Sequence, residues 1–156
     1  MTPIIQSNTQ IIIMRGLPGS GKTTWIDRHI VAHPGTSFVR CSADHFFEKD
    51  GEYLFDSRQL DRAHRMCFHH FVEACTITRP DFIYVDNTNS TLWEMAPYWQ
   101  FGRMYGGKVS FEEMNEWDRA KLAKRNLHQV SYSTIRIMAA RWEFLPTYWL
   151  DAATGL

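Results

Sequence analysis

Eight consecutive residues, Gly16-Leu17-Pro18-Gly19-Ser20-Gly21-Lys22-Thr23, carry the spacing G-x-x-x-x-G-K-[ST]. Glycines in that pattern let the backbone curl until successive N–H groups point inward, a concavity that suits phosphate oxygens. The curl opens onto the start of a helix, whose dipole adds attraction for an anion. Lys22 then has the reach for the β- and γ-phosphates of a nucleoside triphosphate, and Thr23 carries the hydroxyl that ligates Mg²⁺. Thr24, next in the first helical turn, is grouped with these phosphate-binding residues. The ligands this chemistry calls for are ATP and Mg²⁺.

Two carboxylates follow apolar runs. Asp86 closes Phe82-Ile83-Tyr84-Val85 and leads into Asn87-Thr88-Asn89. A carboxylate there can hold Mg²⁺ opposite Thr23, and it can equally cap a helix or turn. Asp44 lies in Cys41-Ser42-Ala43-Asp44-His45-Phe46-Phe47. It is placed to take the proton of a hydroxyl acceptor during phosphoryl transfer, with a turn or cap role open beside that one. Residues 119–141 contain Arg119, Lys121, Lys124, Arg125, Arg136 and Arg141 and no acid, whereas residues 42–61 contain six acids. A basic segment in a neutral chain points to a local anionic ligand. A cation over the equatorial oxygens would assist transfer, and Arg125, Arg119 and Lys124 are not separated by this pattern.

The elements that must position these groups alternate. Residues 10–14 read as a central strand buried on both faces, and 22–32 as a helix stopped near Pro34-Gly35. Residues 37–42 read as a second strand, with a turn at Asp50-Gly51 after it. Residues 58–78 read as a helix, with Leu60, Ala63, Cys67, Phe71 and Ala74 at helical spacing. Residues 82–85 read as a third strand, 91–104 as a helix broken or kinked near Pro97, and 108–111 as a fourth strand. Helices are expected at 117–125 and 133–144, and a fifth short strand near 147–150. The expectation is an α/β fold: one P-loop kinase domain over 10–156 behind a loose 1–9 end. Its parallel sheet of about five strands carries helices on both faces and a helical lid. Ligands of such sheets bind beyond the carboxyl ends of the strands, where the loop, Asp44 and Asp86 all fall.

The chain of 156 residues is 44% apolar and 22% charged, with zero net charge. That composition fits a single globular domain and argues against a surface that binds nucleic acid unspecifically. No run is long enough for a membrane span or a signal h-region, so a cytoplasmic protein is expected. Three cysteines without C-x-x-C give neither a disulfide framework nor a zinc knuckle. His64, His69 and His70 read as one helix face.

The loop, the Ser42-Ala43-Asp44-His45-Phe46-Phe47 stretch, Asp50-Gly51-Glu52-Tyr53 and Asp86-Asn87-Thr88-Asn89 together resemble polynucleotide-kinase-type P-loop kinases. So does Arg125-Asn126-Leu127-His128-Gln129-Val130, followed by Ile135, Met138 and Arg141. These stretches span residues 11–143 in the family's order. The resemblance implies Asp44 as general base, Asp86 at the Walker-B-like strand end, and Arg125 as the lid arginine over the donor phosphates. Ser131 departs from it, standing where the lid motif has proline, which is expected to loosen the lid turn. The chain ends without room for a fused phosphatase, so a kinase alone is expected. The resemblance extends to small phage kinases that phosphorylate 5-hydroxymethyluracil in DNA. Such an enzyme needs aromatic walls for a flipped base, and Phe46, Phe47, Tyr53, Phe55, Trp93, Tyr98 and Trp99 are candidates, though aromatics at helical spacing also build cores.

The leading expectation is an ATP- and Mg²⁺-dependent kinase for a hydroxyl on nucleic acid, with DNA as partner and a lean toward the hydroxymethyl group of 5-hydroxymethyluracil. A polynucleotide 5′-hydroxyl kinase is the neighbouring alternative. A small-molecule kinase and a non-catalytic nucleotide switch are the others, the last disfavoured by the lack of a guanine-type N-K-x-D motif.

Overall fold

The computed structural model describes residues 8–154. Four parallel strands form the main sheet: β1 (Gln10–Arg15), β2 (Phe38–Cys41), β5 (Phe82–Val85) and β6 (Lys108–Glu113), in the order β2-β5-β1-β6. The pattern of β1 explains its central place. Ile11 and Ile13 point into one apolar cluster with Phe71, Met95 and Tyr98. Ile12 and Met14 point into another with Ile26, Phe82 and Tyr84. A strand apolar on both faces has to be covered on both. Helix α1 (Lys22–Ala32) covers one face through Ile26, while α2 (Leu60–Glu73) and α3 (Leu92–Met104) cover the other.

After β1 the chain runs outward to β2, returns through β5, and then crosses to β6 on the other side of β1. The order therefore reverses at β1, so a crevice opens at its carboxyl end. Between β2 and α2 lies a two-stranded hairpin, β3 (Glu48–Lys49) and β4 (Glu52–Tyr53). Its turn, Asp50-Gly51, has φ of 52° and 82°. Two left-handed residues in a row are what a tight hairpin needs, and Asp-Gly supplies them at low cost.

Several segments differ from the sequence reading. The segment expected as a strand near 147–150 is instead helix α6 (Thr147–Thr154), which leaves four strands in the main sheet. Pro146 suits the start of a helix, and Trp149, 4% exposed, anchors it by stacking on Trp99 and Phe111. The helix expected over 58–78 is α2 followed by a wider π turn at Ala74–Thr78, ended by left-handed Arg79. Helix α3 runs through Pro97 without a break.

At the amino end, the expected loose segment lies outside the described residues as far as residue 7. Thr9 is tied down: its hydroxyl donates to Pro80 O at 2.7 Å. Among the described residues, no helix is long and apolar enough to cross a membrane.

Cys41, Cys67 and Cys75 are free and buried. Burial pushes all three thiols up, that of Cys75 to about 12. Since the thiolate is the reactive species, the native protein should alkylate with iodoacetamide at less than about a hundredth of the unfolded rate. Mass spectrometry of native and urea-treated samples checks this, and fast single labelling of the native chain would contradict it.

Candidate functional site

The loop between β1 and α1 takes the shape its glycines allow. Gly19 and Gly21 have φ of 80° and 100°, left-handed values that a side chain resists. Gly19 also has no room for one, because a Cβ there would lie 2.6 Å from Leu122 O and 3.0 Å from Asn126 N. Lys22 lies back across the loop, its ammonium donating to Gly16 O at 2.8 Å and Leu17 O at 3.3 Å. Burial lowers its pKa, opposed by the nearby Asp86 and Asp44 carboxylates. The Ser20 hydroxyl is buried with no hydrogen-bond partner. An unpaired hydroxyl in a nest of N–H groups suits an oxygen-rich anion.

The four residues after β5 stitch the crevice together. Asp86 accepts from Arg40 Nε at 3.0 Å. Asn87 Oδ1 accepts from Ala43 N at 2.9 Å. Thr88 O accepts from Gly16 N at 3.1 Å. Asn89 Nδ2 donates to Met14 O at 2.7 Å. This short run therefore fixes Asp86 and ties the Asp44 turn to the phosphate loop.

Arg40, on β2, was not singled out by its sequence position. Its Nη2 donates both to Asp86 Oδ2 and, at 2.9 Å, to Thr23 Oγ1. One cationic nitrogen thus serves the two side chains expected to hold Mg²⁺, which places both at the same end of the crevice. The signal available in sequence was a charged residue inside an apolar strand, which demands a carboxylate partner. Arg40→Ala leaves Asp86, 7% exposed, without its partner. The variant is expected to lose about 2–3 kcal/mol of stability. Added Mg²⁺ should restore part of that loss and do less for the parent protein. Thermal melts with and without Mg²⁺ check this, and equal shifts for both would refute it.

Asp44 sits in a 3-10 turn, Ala43–Phe47, whose first hydrogen bond is made by the Ser42 hydroxyl. Its carboxylate is partly exposed and held from two sides. Tyr53 on β4 donates its hydroxyl to Asp44 Oδ1 at 2.8 Å. His128 Nε2 lies 3.5 Å from Asp44 Oδ2. The Tyr53 pKa is raised, first by burial and then by its bond to Asp44.

Of the aromatic candidates, Tyr53 touches Asp44. Phe55 stacks on Tyr53, and Phe46 packs edge-on against buried Phe47 two residues beyond Asp44. Tyr98 is core, packed on Phe68 and Phe71. Trp99 stacks on Trp149, and Trp93 is exposed on α3.

The basic segment forms α4 (Arg119–Arg125) and α5 (Tyr132–Ala140). Leu122 and Ile135 pack on Leu17 of the loop, so this pair of helices is seated on the phosphate site. Arg125 ends α4 beside Gly19, and its guanidinium lies 3.8 Å from Glu116. Lys121 pairs with the same Glu116, and Arg141 donates to Ser90 and Glu94. Arg125, Lys121 and Arg141 of the basic segment are thus paired within the protein. Ser131 does not loosen the turn: its hydroxyl accepts from Thr134 N and caps α5.

A second arginine unforeseen in sequence lies behind the loop. Arg15, fully buried at the end of β1, pairs with Glu113 at 2.9 Å, donates to Asn89 O and Glu143 O, and lies over the Trp142 ring. Burial lowers its pKa, countered by Glu113. It also explains why α5 stops at Ala140 rather than running to 144: the chain turns there to place Trp142 and the Glu143 carbonyl on Arg15.

A phosphate loop at the reversal point of a four-stranded parallel sheet, with a strand-end carboxylate beside it and a helical lid on top, defines a polynucleotide-kinase-like P-loop kinase fold. Residues 11–145 match the AAA domain model AAA_33, and the chain belongs to that family. NEDD4-binding protein 2 of Homo sapiens is 35% identical over 136 residues, covering 85% of this chain and 8% of that protein. YLP motif-containing protein 1 of Homo sapiens is 28% identical over 159 residues, covering 88% of this chain and 7% of that protein. The chain thus spans less than a tenth of the length of these curated relatives. A chain of a solved Pnkp1/Rnl/Hen1 complex superposes with a TM-score of 0.57 at 26% identity, over 80% of this chain and 42% of that one. A chain of the Pnkp1/Rnl/Hen1 RNA repair complex gives a TM-score of 0.62 at 21% identity, over 92% of this chain and 45% of that one. The latter likeness is one of fold.

Proposed function

We propose that the protein transfers the γ-phosphoryl group of ATP to a hydroxyl on nucleic acid. The observation that carries the reading is geometric: the run after β5 ties the Asp44 turn, through Ala43 N, to the loop on which Lys22 lies, through Gly16 N, so that a donor-side cation and an acceptor-side carboxylate share one crevice. Such a pairing serves transfer to an acceptor more than it serves a nucleotide switch. Thr23 and Asp86 would hold Mg²⁺, which neutralises phosphate charge when bound. Lys22 stabilises charge on the phosphate oxygens, and Asp44 takes the acceptor proton. Arg125, ending the lid helix beside the loop, would add a cation over the donor phosphates once it leaves Glu116.

Two acceptors fit, each with its own support. The likeness to Pnkp1-containing complexes supports a 5′-hydroxyl end. The aromatic faces of Tyr53 and Phe55 beside Asp44 support a base hydroxymethyl, as in 5-hydroxymethyluracil, presented from an extruded nucleotide. Labelled ATP offered to two DNA duplexes separates them. One has free 5′-hydroxyl ends and ordinary thymine; the other has blocked ends and internal 5-hydroxymethyluracil. Label in either supports a nucleic-acid kinase and names its acceptor. Label in neither, with transfer to free nucleosides, would replace the reading with a small-molecule kinase. No transfer at all would leave a nucleotide-binding switch.

A further inference from the structure

Resting on the kinase reading, we propose that His128, carried by the lid, receives the acceptor's proton from Asp44 and passes it to water. The segment holding this histidine is built with unusual care. The Asn126 amide donates to Leu122 O, Ala123 O and Val130 O at 3.2, 3.0 and 3.1 Å, and its oxygen accepts from Val130 N at 2.7 Å. Gln129, at φ of 55°, completes the tight loop. One side chain thus ties Val130 back to the end of α4 and closes residues 126–130 into a loop, in which Leu127 is 84% exposed. His128, by contrast, is turned inward: its ring lies 4.2 Å from the Tyr53 ring, with Nε2 facing Asp44.

His128 Nε2 lies 3.5 Å from Asp44 Oδ2, a small movement from hydrogen-bond distance. As the acceptor oxygen forms its bond to phosphorus and the bond to the ADP oxygen breaks, the acceptor O–H proton moves to Asp44. The O–H electron pair stays on the acceptor oxygen. The Asp44 Oδ2–H then donates to His128 Nε2, giving an imidazolium beside a restored carboxylate. The ring, 34% exposed, releases the proton to solvent. Because the histidine rides on the lid, this route exists only while the lid is seated, which would tie proton removal to lid closure. His128 acts through Asp44 and is in this sense a positioning residue.

The groups facing the ring are Asp44 on the 3-10 turn and Tyr53 on β4. Behind them, Asp44 acts on Lys22 and Glu48 on Tyr53 through their charges. On the ring's own segment, Arg125 is directed at Glu116.

The test measures transfer by wild type, His128→Ala and His128→Gln with and without added imidazole. The expected result is a fall in kcat of about 10²-fold in both variants with the KM for ATP little changed. Imidazole should rescue His128→Ala and leave wild type unchanged. Full activity of His128→Gln would overturn the proposal, as would failure of imidazole to rescue a folded His128→Ala. An inactive wild type would instead strike at the kinase reading itself.

Discussion

Lys22→Ala is expected to lower phosphoryl transfer by about 10³-fold. The ammonium lies directly on the phosphate loop, where it donates to Gly16 O and Leu17 O. With the ammonium gone, charge developing on the β- and γ-oxygens loses the cation nearest the loop backbone. The free protein should respond in the opposite direction. Burial lowers the Lys22 pKa, so the native state binds its proton less readily than the unfolded chain does. The ammonium therefore opposes folding at neutral pH, and the penalty shrinks as pH rises through the lowered value. Lys22→Met should raise the melting temperature in the absence of nucleotide while abolishing transfer. Melting curves beside initial rates check both, and a fully active, unshifted variant would refute the assignment.

Asp44→Asn is expected to reduce kcat by about 10²- to 10⁴-fold while ATP binding is little changed. The amide keeps the shape of the carboxylate and can still accept the Tyr53 hydroxyl, so the hairpin and lid should hold their places. What is lost is the capacity to take a proton. A second readout is independent of activity. Asp44 contributes, after burial, to the raised pKa of Tyr53, so the substitution should let Tyr53 ionise at lower pH. Ultraviolet titration follows this, and an unmoved tyrosine together with normal turnover would remove Asp44 from the site.

Much of this was legible in sequence because local rules and tertiary demands agree. Gln10 to Met14 could only be a central strand, being apolar on both faces, and the glycine spacing after it admits one backbone path. Asp50-Gly51 announced its hairpin for the same reason. Where the two diverged, packing decided. Thr147 to Leu150 has the composition of a strand, but Trp149 finds its partners in Trp99 and Phe111 and the segment coils behind Pro146. Arg40 and Arg15 escaped notice because a buried arginine is defined by partners distant in sequence, 46 residues away for Asp86 and 98 for Glu113. The lid arginine illustrates a different gap. The family resemblance, not the residue pattern, implied Arg125 over the donor phosphates, while the structure sets its guanidinium toward Glu116; neither helical spacing nor the basic run could foresee that pairing.

The measurement that tests the central claim most directly offers α-labelled and γ-labelled ATP in parallel to oligonucleotides bearing free 5′ and hydroxymethyl groups, with wild type and Asp44→Asn side by side. The account predicts label in the nucleic acid from γ-labelled ATP alone, and none with Asp44→Asn. Label arriving from the α-position, or equal labelling by the Asp44→Asn variant, would contradict it.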